Sequence, residues 1–323
     1  MGLIRFTLRL IPRIERLTQV RLQRMLRQFL PGAKTPQRSE WSIGIYFGRS
    51  PLDLFPAENF HNPVLTSKDV TDVHAGFVAD PFMIRFEDNW HMFFEVKNRE
   101  SRKGEIGLAI SKDGVRWSYQ QIVLAEPFHL SYPYVFRWQD DYYMIPESCQ
   151  ADSVRLYRAT NFPTQWLFVD NLLTGDKYVD SSIFHLDNKW WLLTGLGAPP
   201  DRSEILRLFY AETLFGRWTE HPANPIVNGN GCGARPAGRS LVLNGRVIRY
   251  AQDCYPFYGT QVRAFEITDL TPTRYHERAI EGDPILRGTG CGWNESGMHH
   301  VDPHLLADGQ WMACVDGWVN VPA

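Results

Sequence analysis

The stretch Ala79-Asp80-Pro81-Phe82, running through the polar turn Glu87-Asp88-Asn89 to Phe93-Phe94-Glu95, decides the fold because the chain repeats it. It reads as an apolar strand opened by Asp-Pro, a tight turn and an aromatic strand. Variants run from Ser131-Tyr132-Pro133-Tyr134 to Met144-Ile145-Pro146-Glu147, and from Val179-Asp180-Ser181-Ser182 to Leu192-Leu193-Thr194. Two more run from Ala234-Arg235-Pro236-Ala237 to Arg249-Tyr250-Ala251, and from Val301-Asp302-Pro303-His304 to Ala313-Cys314-Val315-Asp316. A unit that returns about every 50 residues and cannot bury its own apolar face signals a propeller or a solenoid. Five copies suffice to close a ring.

Working outward, the core copies are followed by a second pair of strand-like segments, such as Ile106 to Ser111 with Val115 to Gln121, and Ile205 to Ala211 with Trp218 to His221. The turns Asp187-Asn188, Asn244-Gly245 and Asp308-Gly309 are hairpin signals, since these residues tolerate the positive φ that tight turns need. Each blade therefore reads as a four-stranded antiparallel sheet. The fifth copy stops short of its outer pair. Ser42 to Gly48, followed by Arg49 to Leu54, resembles the outer segment Gly107 to Gly114 of the first blade and supplies what is missing. The expected fold is an all-β five-bladed β-propeller over residues 41–323, closed by its N-terminal strands.

Composition agrees. The 323 residues are 44% apolar and 13% aromatic, enough for a large core, and a net charge of −2 argues against nucleic-acid binding by the body of the protein. Nothing approaches the roughly 20 apolar residues of a membrane span. Five cysteines without CxxC or zinc spacing point to free thiols in a reducing cytosol, with Cys232 and Cys291, in two similar glycine-rich loops, as the alternative pair. Residues 1–32 differ from the rest: seven Arg face one acid, Glu15, and alternate with apolar residues at helical spacing. A basic amphipathic helix follows, and 33–40 reads as a linker. Residues 1–30 suit an anionic membrane surface at the cytoplasmic side; packing on the ring or a partner, or a targeting peptide, are the alternatives.

In a propeller the first strand of each blade lines the central channel. Side by side, the copies bring Asp80, Tyr132, Asp180, Arg235 and Asp302 to matching positions, while the second strands end at Glu95, Glu147, Thr194 and Asp316, with Gln252 and Asp253 in blade four. An Asp at a strand start often only caps a turn, but three of five matching positions are harder to explain by packing. Crowded carboxylates raise one another's pKa, giving a protonated acid beside an ionised base. Glycosidic cleavage or transfer needs such a pair. Glu147 is the candidate general acid. Tyr132, Arg235, Asp302, His300, Glu95 and Gln252 are candidate contacts for a sugar or glycan, with Arg235 poised for a sugar carboxylate or phosphate. Histidines near the strand openings (His74, His129, His299, His300 and His304) lack regular ligand spacing, so no metal and no cofactor is expected.

The stretches FVADPF, HLSYPYVF, YYMIPES, VDSSIF, ARPAGR and HHVDPH resemble the propeller domain of glucosamine inositolphosphorylceramide transferases. More distantly, the pattern is similar to the arabinanase, invertase and mannoside phosphorylase propellers. The resemblance covers about residues 41–318 and implies a carbohydrate-active site in surface polysaccharide or glycolipid assembly. A non-catalytic glycan-binding or scaffold propeller is the rival. The hydrolase pattern implies a base or nucleophile at Asp80 and an orienting acid at Asp180. It places the general acid in the fourth blade, where this chain has Arg235, so Glu147, or Glu295 as a fallback, would have to serve.

Overall fold

The computed structural model describes residues 37–57, 60–197, 204–282 and 284–322. Among them, 22 strands follow one another in the order the repeats predict. They begin with β1 (Gln37–Ser50) and β2 (Asp53–Phe55). Blade one is β3 (Ala75–Phe86), β4 (Asn89–Asn98), β5 (Gly104–Ser111) and β6 (Ser118–Leu124). Blade two is β7 (Ser131–Trp138), β8 (Asp141–Glu147), β9 (Ser153–Asn161) and β10 (Gln165–Thr174). Blade three is β11 (Tyr178–Leu186), β12 (Lys189–Leu196), β13 (Ile205–Ala211) and β14 (Thr219–Glu220), with β15 (Val227–Asn228) also on β13. Blade four is β16 (Leu241–Leu243), β17 (Arg246–Asp253), β18 (Gln261–Leu270) and β19 (Tyr275–Ala279), with β20 (Leu286–Arg287) on β18. The last strands are β21 (Val301–Leu305) and β22 (Trp311–Pro322).

The fifth blade has the order β2-β1-β22-β21, so both ends of the ring's chain meet in one sheet. This is the expected closure, and it covers two sheet edges that would otherwise be open to association. Ile43 and Ile45 of β1 are fully buried. The Asn62 side chain holds Ile45 by both of its backbone groups, accepting from the N–H at 2.8 Å and donating to the carbonyl at 3.0 Å. β1 starts at Gln37, inside the stretch expected as linker. The expected helix over 1–32 lies outside the described residues.

The core is divided among the seams between blades. One cluster joins Phe82 and Phe93 of blade one to Tyr134 and Met144 of blade two and Ile183 and Trp190 of blade three. Another joins Ile43, Met312 and Cys314 of blade five to Met83 and Phe94 of blade one. Two more fill the remaining seams. Each sheet thus hides its apolar faces only against its neighbours, which is why the unit must repeat. Two single 3-10 turns, Cys149–Ala151 and Gly292–Asn294, are the helical elements among the described residues, and no helix there is long and apolar enough to cross a membrane.

The expected opening strand of blade four differs. Residues 229–240 form an irregular loop, tied by single bridges from Pro236 to Ala251 and from Gly238 to Val301, and β16 starts only at Leu241. Pro236 lacks a donor for a ladder, and Gly238 at φ 131° leaves strand geometry while its α-carbon sits against the Val301 carbonyl, where a Cβ would have no room.

Candidate active site

Three opening strands share one backbone device. In β3 the register jumps from Ala79↔Glu95 to Phe82↔Phe93. In β7 it jumps from Ser131↔Glu147 to Tyr134↔Ile145, and in β11 from Val179↔Gly195 to Ser182↔Leu193. Each jump is a β-bulge at the Asp-Pro position or its equivalent. Asp80, Tyr132 and Asp180 occupy the bulges with φ of 53°, 47° and 48°. Left-handed backbone at a non-glycine residue is unfavourable, and bulges turn a side chain off the alternating pattern of the strand. Pro81 and Pro133 fit the second bulge position because they have no N–H to leave unpaired.

The bulges and the ends of the second strands bring Asp80, Asp180, Glu95, Glu147, Arg235 and Gln252 into one electrostatic cluster, together with Asp316 and His299. Arg235 donates from Nε to Asp180 Oδ2 at 2.5 Å and places Nη2 3.4 Å from Glu147 Oε2. Gln252 Nε2 donates to the same Asp180 oxygen at 2.7 Å. On the other side His299 Nδ1 lies 2.8 Å from Asp316 Oδ1, its Nε2 3.8 Å from Asp80 Oδ1, and the Asp80 N–H donates to Asp316 Oδ2 at 3.0 Å.

Five carboxylates and two cations in a buried space cannot all be charged, and the surroundings divide the protons. Burial would raise Asp180, but Arg235 beside it and the hydrogen bond from Glu147 hold it below the ordinary carboxylate value. Burial would raise Asp316 too, and His299 outweighs it, so Asp316 is also ionised. Burial would strip His299 of its proton, yet Asp316 and Asp80 keep it raised. The remaining three acids go the other way. Glu147 is raised well above its usual value, by burial and then by the charge on Asp180. Glu95 is raised by burial and then by Asp80. Asp80 is pushed up to about 7, chiefly by burial, with Asp180 and Asp316 adding to it and His299 and Arg235 opposing. A buried acid that titrates near neutrality beside permanently ionised partners suits proton transfer.

The match to known proteins is specific. Residues 34–318 match the family described as glucosamine inositolphosphorylceramide transferase 1, N-terminal. The chain belongs to this family. A glucosamine inositolphosphorylceramide transferase 1 from Oryza sativa subsp. japonica is 37% identical over 298 residues, and one from Arabidopsis thaliana 35% over 309. These alignments cover 86% and 88% of this chain but only 40% of each relative. Among solved structures, the catalytic domain of a Coprinopsis cinerea GH62 α-L-arabinofuranosidase aligns with TM-score 0.57 at 12% identity, over 81% of this chain and 97% of that one. A thermostable family-43 glycoside hydrolase aligns with TM-score 0.55 at 14% identity, over 81% and 92%. At these identities the likeness is one of fold.

In this member of the transferase N-terminal family, two sequence candidates sit apart from the acid–base cluster. The Tyr132 hydroxyl is buried against Gly238, donating to its carbonyl at 2.9 Å and accepting from its N–H at 2.6 Å. Asp302 is held by Arg239 at 2.6 Å, by the Met83 N–H at 2.6 Å and by His304 at 2.9 Å. It was expected to match Asp80. In the ladders, however, Phe82↔Phe93 faces the next blade, and in blade five the pair that does so is Asp302↔Cys314, so Asp302 takes the Phe82 position and His300 that of Asp80. Burial would raise Asp302, but Arg239 and His304 hold it below the carboxylate range, as for a structural ion pair. Arg235, expected to be open to a ligand anion, is already engaged by two carboxylates.

His300 is fully buried between Phe82 and Tyr132, with both ring nitrogens unpartnered and Nδ1 3.8 Å from Asp80 Oδ1. Burial lowers it to about 4, so the ring is neutral at pH 7. Asp80, His299 and Asp316 bring donor atoms within 4.8 Å of one another, the spacing of a cation site. Of the two acids, Asp316 is hydrogen-bonded to His299 at 2.8 Å, while Asp80 stands 3.8 Å from it. Cys232 and Cys291 are both thiols, and the cysteine facing Cys232 is Cys254, whose N–H donates to Gly231 O at 2.9 Å. His299, Asp316 and Tyr258, whose ring lies against His299 and Arg235, belong to the site; the sequence reading placed Asp316 at a channel-lining strand end and His299 among the histidines at the strand openings, and did not single out Tyr258. The His-His-x-Asp run was the available signal for His299; Tyr258 carried none.

Proposed function

We propose that this propeller is an enzyme that cleaves or transfers a glycosyl unit, with the channel cluster as its catalytic centre. One observation carries the reading: the cluster holds acids neutral and acids ionised side by side. Asp80, near 7, takes the role of base or nucleophile. Glu147, protonated and hydrogen-bonded to Asp180, is the general acid that would deliver a proton to a leaving oxygen. Asp180 orients Glu147 and, with Gln252 and Arg235, sets its proton affinity. Glu95 borders Asp80 and serves substrate hydroxyls, while the buried His300 ring backs Asp80 at 3.8 Å.

The name of the plant relatives supports a sugar such as glucosamine and an inositol-phosphate acceptor as substrate classes, in surface polysaccharide or glycolipid assembly. The chain spans 40% of those relatives' length, so their activity as whole proteins is a proposal here. Residues 1–30 would hold the ring at an anionic membrane on the cytoplasmic side, which vesicle sedimentation with and without them tests. A thermal-shift screen of wild type and Asp80→Asn against sugars, sugar phosphates and nucleotide sugars, followed by turnover assays on each hit, tests the enzymatic reading. A hit bound by both proteins and turned over only by wild type supports it. Binding without turnover in wild type favours a glycan-binding module, a reading to which the full engagement of Asp180 by Arg235, Gln252 and Glu147 lends support.

A further inference from the structure

Three exposed aromatic residues, Tyr255, Phe257 and Tyr258, crowd the hairpin between β17 and β18, at 41%, 46% and 45% exposure. Large apolar side chains left in water beside a buried polar cluster call for a reason. The hairpin is firmly built. Gly259 O accepts from Trp318 Nε1 at 2.8 Å, Thr260 Oγ1 donates to Phe257 O at 2.7 Å, and the Tyr255 N–H donates to Asp253 Oδ1 at 3.0 Å. Gly259, at φ 74°, sits so close to Trp41 that a Cβ would lie 2.5 Å from the indole, so any other residue would push the hairpin off its seat.

The ring of Tyr258 rests on the catalytic cluster itself. His299 meets it edge-on at 5.2 Å between centroids, Trp41 at 6.3 Å, and the Arg235 guanidinium carbon stands 5.2 Å from its centroid. Phe257 is seated the same way on Trp318, at 5.8 Å. Tyr258 is therefore fixed on one side by two members of the site and open on the other. A rigid, half-exposed ring beside carboxylates and a guanidinium fits a ligand with an apolar face and a hydroxyl-bearing edge. A pyranose has both: axial C–H groups on one face and hydroxyls at the rim that can donate to Asp80 and accept from Arg235.

We infer that Tyr258, flanked by Phe257 and Tyr255, is the platform on which a pyranose ring of the substrate stacks beside the catalytic cluster. The inference rests on the glycosyl reading and names the residue that positions the sugar, a part that Asp80 and Glu147 do not play. Because the platform is preformed, binding does not have to order it.

The test is isothermal titration of the full chain with glucosamine, N-acetylglucosamine, mannose and glucuronic acid, repeated with Tyr258→Ala, Tyr258→Phe and Tyr255→Ala. The control is Phe168→Ala on blade two. For the pyranose that wild type binds, Tyr258→Ala should weaken Kd about tenfold or more, Tyr258→Phe should stay within about twofold, and Phe168→Ala should change nothing. In turnover, Tyr258→Ala should raise KM more than it lowers kcat. Should Tyr258→Ala not fold, Tyr255→Ala, whose side chain is exposed, carries the test with about a threefold loss. Unchanged affinity in a folded Tyr258→Ala protein overturns the inference and leaves the glycosyl reading standing. Binding of uridine monophosphate lost in Tyr258→Ala, with no pyranose bound, also overturns it and gives the platform to a base. Wild type that neither binds nor turns over any pyranose sinks both.

Discussion

Arg235 of the fourth blade donates to Asp180 of the third at 2.5 Å, joining two blades through one buried ion pair. The pair fixes which acid in the channel stays ionised. Removing the guanidinium would leave Asp180 charged and unpaired in a place that water hardly reaches. Arg235→Ala should therefore cost about 3–5 kcal/mol of stability, the usual loss when one partner of a buried pair is taken away. Urea unfolding of the two proteins at pH 7 measures it. A loss below about 1 kcal/mol, the scale of an exposed surface pair, would show the pair to be solvated and incidental.

Burial and the charge on Asp180 push Glu147 toward its protonated form, and a protonated carboxyl has nearly the shape and hydrogen-bonding capacity of an amide. Glu147→Gln should keep its melting temperature within a few degrees, because the surroundings already favour the neutral form. As the general acid, it should still lose about 10²–10⁴-fold in turnover. If the variant turns over normally, the acid lies elsewhere, and Glu295→Gln is the next variant to make.

Asp80 rises from 3.8 to about 7 on folding, so over that window the folded protein keeps a proton that the unfolded chain releases. Its contribution to stability is complete below the lower value and fades as pH rises through the upper one. Glu95 and Glu147 are displaced in the same direction. Asp180, Asp302 and Asp316 are depressed, so what they add is lost as pH falls below the ordinary carboxylate range. The urea midpoint of wild type relative to Asp80→Asn should therefore fall as pH rises from about 4 to 7, a comparison in which the opposing contribution of His300, lowered by burial to about 4, cancels. In the active protein the same ionisation should appear as a rise of kcat/KM through an apparent pKa near 7. A pH–rate profile without that limb removes Asp80 as the base.

Closure of the ring by β1 and β2 makes the N-terminal strands part of the cooperative unit. Deleting residues 41–60 takes away Ile43 and Ile45, which are fully buried in the seam with blade one. The truncated protein should lose its sharp thermal transition and bind a hydrophobic dye. A sharp melt in calorimetry would show that four blades and a half can stand alone.

The ring was legible because its signals are local. An Asp-Pro opening, a polar turn and an aromatic strand each depend on a few neighbouring residues, and repetition multiplies them. The matching of Asp80 with Asp180 survived for the same reason, since both sit in the same bulge. Asp302 did not match. The run His299-His300-Val301-Asp302 carries the Asp-Pro pattern two residues farther along the strand, and only the ladder with β22, together with the seam that each side chain faces, shows that the motif has slipped. The opening of blade four reads as a strand in composition, but the crowding of Gly238 against Val301 bends it into a loop. Tyr258 was invisible for another reason: its neighbours His299, Arg235 and Trp41 are far away in the chain, and no periodicity announces a contact made by a turn.

The three bulges hold Asp80, Tyr132 and Asp180 in a backbone conformation that side chains resist, and two of the three are acids enclosed away from water. The centre is thus the part of the ring least suited to folding for its own sake. Smoothing it, with glycine in the bulges and apolar residues in place of the acids, would yield a sturdier and inert ring, and the gap in stability between that ring and the natural one would be a direct gauge of what selection has kept here for chemistry.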